Sequence, residues 1–330
     1  MSSDGPPPSN ILNQVTSTAS TLFSYMRIPV IASSGIAALL SGLLYFKQNE
    51  LIYPRNIPTD ARTAVPRPLE FGIRDYEELS IPTPDGESIS AFFIRPSNRQ
   101  FARSITVIMF HGNAGNIGHR IPIAALLERN IGCNVLLLEY RGYGLSTGVP
   151  DEKGLMIDAQ TGLDYIRERA ETRNTKIVVY GQSLGGAVAI QLVAKNKGTG
   201  DIAGLILENT FLSIRKLIPS VIPPARYIAR FCHQIWPSET VLPTITDIPI
   251  LFLAGLQDEI IPPSHMTSLH ALCTARTKVF ESFPYGTHND TVDCKRYFES
   301  ITKFLLQFVL HVPPEKWPRE YVELAQIFEY

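Results

Sequence analysis

The sequence predicts an α/β fold, a mostly parallel central sheet with helices on both faces, and three observations carry that prediction. The β-branched run Ile177-Val178-Val179-Tyr180 enters Gly181-Gln182-Ser183-Leu184-Gly185, and the small-residue stretch Gly186-Ala187-Val188-Ala189-Ile190 leaves it. A strand, a sharp turn and a helix therefore follow one another. Strand-like apolar runs alternate with helix-period segments through most of the chain, the pattern of βαβ units. Downstream, an acid and a histidine each follow the end of a strand-like run, where open α/β sheets place their sites.

The elements follow in chain order. Residues 1–27, rich in Ser, Thr, Pro and Asn, are expected to form a mobile tail. Between Arg27 and Lys47 lies an uncharged run, Ile28 to Phe46. As a helix at 1.5 Å per residue it would span roughly 28 Å, close to the hydrocarbon thickness of a bilayer. Its late start, its length and the bulky Leu44-Tyr45-Phe46 at its end argue against a cleaved signal peptide. The expectation is a single-pass transmembrane anchor at 28–46, in the endoplasmic reticulum or plasma membrane. Lys47, Arg55, Arg62 and Arg67 outnumber Arg27 across it, so the positive-inside count favours a cytosolic body by a narrow margin.

A linker at 47–73 leads to a body at 74–311. The body opens with a hairpin, about Tyr76–Ile81 and Ile89–Ile94, around the turn Pro84-Asp85-Gly86. Next are expected a strand at Ser104–Phe110, a helix at Ile121–Arg129, a strand at Asn134–Glu139 and a helix at Ile157–Ala170. After the glycine-flanked serine come a strand at Gly204–Glu208, a strand at Ile248–Gly255, a helix at about Pro263–Thr274 and a strand at Lys278–Phe283. The stretch from about 209 to 247 interrupts the alternation; short, apolar and broken by prolines, it is expected to cap the site. Residues 312–330 form a C-terminal tail of unassigned role.

Strand, G-x-S-x-G and helix in that order is the setting of a nucleophile elbow, in which the turn lifts a serine hydroxyl clear of the sheet. Such a serine needs a base to take its proton and an acid to orient that base. On the α/β-hydrolase fold these arrive as Ser, then acid, then His. Ser183, Asp258 and His288 satisfy that order. Glu259 reads as a solvated flank, because Asp258 stands closer to the strand end. Asp290 and Asp293 read as the start of the last helix. Of the seven histidines, only His288 sits in a post-strand loop downstream of both serine and acid. The oxyanion needs backbone donors, and the loop His111-Gly112-Asn113-Ala114-Gly115-Asn116 after a central strand supplies one, so the N–H groups of Asn113 and Leu184 are the expected pair. That loop lacks both the G-K-[ST] ending of a P-loop and the spacing of G-x-G-x-x-G.

Composition narrows the class further. With 45% hydrophobic and 18% charged residues the chain can bury one large core. A formal net charge of −1 and the lack of a basic cluster interleaved with aromatics point away from nucleic acid. Cys133, Cys232, Cys273 and Cys294 are widely spaced, with no CxxC and no histidine at ligand spacing, so they read as reduced thiols and no metal site is expected.

The chain resembles membrane-anchored serine hydrolases of the alpha/beta hydrolase domain-containing protein 13 type, including their fungal Bem-type relatives. The resemblance rests on the anchor, the 111–116 loop, Glu139-Tyr140-Arg141-Gly142-Tyr143-Gly144, Gly181 to Gly186, Glu208-Asn209-Thr210-Phe211 and Gly286-Thr287-His288-Asn289-Asp290. It implies Ser183, Asp258 and His288 as the triad, with no cofactor. Related membrane hydrolases act on acylglycerols, lysolipids or S-acylated proteins, so a lipid or acylated-protein ester or thioester is the expected substrate and the bilayer the expected partner. Fungal relatives are linked to polarity and membrane signalling, which keeps a catalytically idle scaffold as the rival expectation.

Overall fold

The computed structural model describes residues 25, 27, 31–32, 34–36, 38–42, 45–97 and 104–317. The chain divides into two units, Met1–Gln48 and Asn49–Tyr330. In the first, every described position is helical. Among the described residues no helix is long and apolar enough to cross a membrane. The expected anchor at 28–46 includes residues 28–30, 33, 37, 43 and 44, which lie outside the described ones. The tail at 1–27 does so apart from positions 25 and 27, and the C-terminal tail does so beyond residue 317.

In the second unit eight strands form one sheet: β1 (Tyr76–Pro82), β2 (Ser88–Ile94), β3 (Ile105–Phe110), β4 (Asn134–Leu138), β5 (Lys176–Gln182), β6 (Ile202–Glu208), β7 (Ile250–Gly255) and β8 (Lys278–Phe283). Their spatial order is β1-β2-β4-β3-β5-β6-β7-β8. The β1–β2 hairpin is antiparallel, β2 runs antiparallel to β4, and every later pairing is parallel. Parallel pairs need crossovers, and helices supply them on both faces. A strand covered on both faces reads as a continuous apolar run, and β3, β4 and β7 are buried along their whole length.

The helices are α1 (Ile121–Ile131), α2 (Glu152–Glu168), α3 (Leu184–Lys195), α4 (Ile214–Val221), α5 (Ser238–Val241), α6 (Ser264–Leu272) and α7 (Tyr297–Phe304). Ile108 and Phe110 of β3 share a core with Leu155 and Leu163 of α2 and Ile190 of α3. Val107 and Met109 share the opposite core with Ile121 of α1 and Ile301 of α7. Side chains that alternate along one strand thus feed two separate cores.

The expected boundaries hold to within a few residues except at α2. That helix begins at Glu152, not Ile157, because the Asp151 carboxylate accepts the Gly154 N–H at 2.6 Å and caps a first turn free of apolar residues. The segment after β6, expected to cap the site, is short and broken by prolines: α4 with Pro219 inside it, two 3₁₀ turns at Pro223–Tyr227 and Ala229–Phe231, then α5. Its base is fixed by Trp236, wholly buried, whose Nε1–H donates to Tyr53 Oη at 3.0 Å; that hydroxyl in turn donates to Gln234 Oε1 at 2.7 Å.

Candidate active site

Ser183 ends β5 and begins α3 with φ 55° and ψ −119°, backbone space that side chains rarely occupy. The turn is tight enough to exclude two β-carbons. One on Gly181 would stand 2.2 Å from the Gly185 carbonyl oxygen, and one on Gly185 would stand 2.1 Å from that of Phe110. Hydrogen bonds hold the strained residue from both sides. Its N–H donates to Glu208 O at 2.9 Å, and its carbonyl accepts from Thr210 Oγ1 at 2.7 Å.

Asp258 follows β7 and His288 follows β8. The three sequence-predicted residues meet. His288 Nε2 lies 3.1 Å from Ser183 Oγ, and His288 Nδ1 lies 2.8 Å from Asp258 Oδ2. Asp258 Oδ1 accepts the N–H groups of Ile260 (2.9 Å) and Ile261 (2.7 Å), which aims the second oxygen at the imidazole. A carboxylate only accepts, so it fixes the proton on Nδ1 and leaves Nε2 free to accept from the serine. All three residues are buried.

The two residues expected to donate to an oxyanion are Leu184 and Asn113. Leu184 is the first residue of α3, where an N–H has no intrahelical acceptor. Asn113 follows Gly112, and a β-carbon on Gly112 would stand 3.5 Å from Ser183 Cβ. The Asn113 carbonyl accepts from Tyr143 Oη at 2.8 Å, and its side-chain amide donates to Ile52 O at 3.1 Å, so the peptide cannot swing. His111 supports the same loop: Nδ1 donates to Gly112 O at 2.7 Å, its carbonyl accepts from Tyr140 Oη at 2.9 Å, and its ring packs on Tyr140. Among the described residues no group of His, Cys, Asp and Glu stands in reach of one metal ion.

Several supporting residues had no role assigned from sequence. Asn209, at φ 43°, donates from Nδ2 to Thr287 O, His288 O and Thr291 Oγ1 at 3.0–3.2 Å, and its Oδ1 accepts Gly255 N–H at 2.8 Å. It ties the loop carrying His288 to the end of the strand preceding Asp258. Glu259 is exposed, as the sequence suggested, yet its carboxylate also accepts the His288 N–H at 3.2 Å. His265 of α6 accepts the Leu212 N–H at 3.2 Å and so fixes the start of the cap. Behind the nucleophile, Glu208 accepts from Tyr180, Tyr297 and Gln182, and burial pushes its carboxyl above the usual range. The signal for Asn209 was its place: a polar residue directly after an apolar strand of a parallel sheet. The loop arginine Arg141 is a packing element, bonded to Asp158 (2.8 Å) and Asp85 (2.7 Å).

A family model described as serine aminopeptidase, S33, matches residues 102–247, a span that includes Ser183 but ends before Asp258. The protein bem46 of Schizosaccharomyces pombe is 44% identical over 298 residues, covering 90% of this chain and 98% of its own. The uncharacterized membrane protein YNL320W of Saccharomyces cerevisiae is 40% identical, covering 83% of this chain and 95% of its own. Among solved structures, an esterase from Pyrococcus furiosus superposes with a TM-score of 0.61 at 17% identity, over 73% of this chain and 93% of the esterase, a likeness of fold.

Proposed function

The chain belongs to the alpha/beta hydrolase domain family that includes bem46 and YNL320W, and from that premise we propose that it is a membrane-tethered serine hydrolase cleaving an ester or thioester of a lipid or an acylated protein. The observation that carries the reading is the hydrogen-bonded chain from Ser183 Oγ through His288 to Asp258, 3.1 and 2.8 Å long at its two links. Ser183 Oγ attacks the acyl carbon as its proton passes to His288 Nε2. Asp258 keeps the imidazole in the correct tautomer and stabilises the imidazolium. The Asn113 and Leu184 N–H groups hold the oxyanion, each donor contributing about 3 kcal/mol to the transition state. Collapse expels the alcohol or thiol, which leaves with the proton from His288. Water deprotonated by the same nitrogen then releases the acid and restores the serine.

The uncharged run at 28–46 supports the tether, as does the membrane designation of YNL320W. Exposed Val221, Ile222 and Tyr227 on the cap suit a substrate presented from a bilayer. The test is fluorophosphonate labelling of the detergent-solubilised full chain. Ser183 Oγ displaces fluoride from phosphorus, so the wild type should label, whereas Ser183→Ala and His288→Ala should not, with thermal stability nearly unchanged. A folded wild type that does not label would turn the assignment toward a scaffold.

A further inference from the structure

Residues 49–66 lie between the uncharged run and β1, upstream of the span 102–247 that the family model matches. They contain no strand, and only Tyr53 and Ala61 among them are buried. Their backbone carbonyls nevertheless hold three residues of one loop. Ile52 O accepts from Asn113 Nδ2 at 3.1 Å, and Ile57 O accepts the Gly115 N–H at 2.8 Å. Ala61 O and Ala64 O accept from Asn116 Nδ2 at 2.9 and 3.0 Å. Pro66 then packs so closely that a β-carbon on Gly118 would stand 2.5 Å from its Cδ. The segment is itself tied down on its other sides. Arg55 and Arg62 donate to Gly148 O (3.2 Å) and Ser146 O (3.0 Å), and Tyr53 Oη bonds Gln234 and Trp236. It is a strap, fixed to the body and fixed to the loop.

The loop it holds is the one expected to supply the oxyanion donor at Asn113. Among the described residues the Asn113 N–H has no acceptor in the chain. A backbone donor helps a transition state only when it is in place before the charge develops, so its value depends on what stops its peptide from turning. The loop's own residues do little of this. Gly112 and Gly115 are conformationally permissive, and Gly115 stands at φ 79°. Asn116, wholly buried, makes two separable kinds of bond. Its Oδ1 accepts the Gly118 N–H at 3.0 Å within the loop, whereas both donors of its amide are spent on the strap.

We propose that residues 49–66 complete the hydrolase site by positioning the Asn113 N–H, with Asn116 as the positioning residue on the loop side. This rests on the serine-hydrolase reading and adds a dependence that the Ser183–His288–Asp258 chain does not carry. The reactivity of Ser183 is set partly by the segment that joins the body to the uncharged run.

The test follows fluorophosphonate labelling of the full-length protein against probe concentration, beside a thermal melt. The concentration series separates the rate of phosphonylation within the complex from the affinity for the probe. Asn116→Asp keeps the acceptor for Gly118 N–H and sets a carboxylate oxygen against the two strap carbonyls. Asn113→Ala keeps the backbone N–H and removes only the bond to Ile52 O. Charge on the phosphoryl oxygen grows in the transition state, so the effect should fall on the rate and spare the affinity. Asn116→Asp should lower the phosphonylation rate at least about tenfold, and Asn113→Ala about threefold or more, both measured well below their melting midpoints. Wild-type rates in the folded variants overturn the proposal, whether or not the midpoint has dropped. A loss of affinity at an unchanged rate overturns it as well. Should Asn116→Asp fail to fold, Asn113→Ala decides alone. A folded wild type that does not label removes the serine-hydrolase reading itself, so the two failures are distinguishable.

Discussion

Gly185→Ala tests whether the elbow's geometry, and not merely its residues, makes the serine reactive. An added β-carbon would stand 2.1 Å from the Phe110 carbonyl oxygen, 2.5 Å from its carbon and 2.8 Å from the His111 oxygen. These are backbone atoms at the end of β3, locked by the parallel register that sets Phe110 opposite Gly181. No side chain can turn aside, so α3 and the end of β3 must separate by roughly 1 Å to restore ordinary contact. Overpacking of this kind typically costs about 1–3 kcal/mol, and the better helix propensity of alanine returns at most about 1 kcal/mol. The net loss, about 0–3 kcal/mol, corresponds to a Tm drop of up to roughly 12 °C in a body of this size. The effect on chemistry is larger, because the separating segments carry the nucleophile and the Asn113 donor. A misplacement of about 1 Å between reacting groups lowers rates by about 10²-fold. The assay is the rate of fluorophosphonate labelling beside a thermal melt. A Gly185→Ala protein with the wild-type Tm and labelling rate would refute the reasoning.

Two further predictions concern stability. Tyr53→Phe removes the acceptor of the buried Trp236 Nε1–H and should destabilise the body by about 1–3 kcal/mol; an unchanged urea midpoint would contradict this. Glu77 is held down to about 2, from an ordinary value near 4.5, first by its hydrogen bond to Arg169 and then by that to Arg95. A depressed carboxyl stabilises the fold above its unfolded value and loses that contribution as pH falls toward the folded one. The gap in stability between wild type and Glu77→Gln should therefore be widest above about pH 4.5 and close by about pH 2. It should also shrink with salt, because the group is partly exposed. A gap independent of pH would show that the Glu77 charge contributes nothing.

Most of the sheet was legible because strands covered on both faces read as nearly continuous apolar runs, and β3, β4 and β7 announce themselves that way. The serine was legible for a different reason: Gly181 is forced by the Gly185 backbone and Gly185 by the end of β3, and both stand two residues from it. Asp258 and His288 needed only chain order and strand ends. The start of α2 was missed because its first turn, Glu152-Lys153-Gly154, is polar and its cap is one carboxylate. Asn209 was missed because its meaning lies in partners far along the chain. Asn209 bonds across 78 to 82 positions to the His288 loop, and no local pattern encodes that.

The bonds made by Asn209 bear on how this enzyme could diversify. Acid and base are 30 positions apart in the chain, and α6 and β8 run between them. One amide grips the Gly255 N–H just before the acid and the carbonyls of Thr287 and His288 at the base. The stretch is thus pinned near both ends by a residue that belongs to neither. Its middle can change in sequence, or lengthen where α6 meets solvent, while Asp258 and His288 stay in register. The proline-broken segment that leads to α4 follows Asn209 along the chain, so it too can change on the far side of the same anchor.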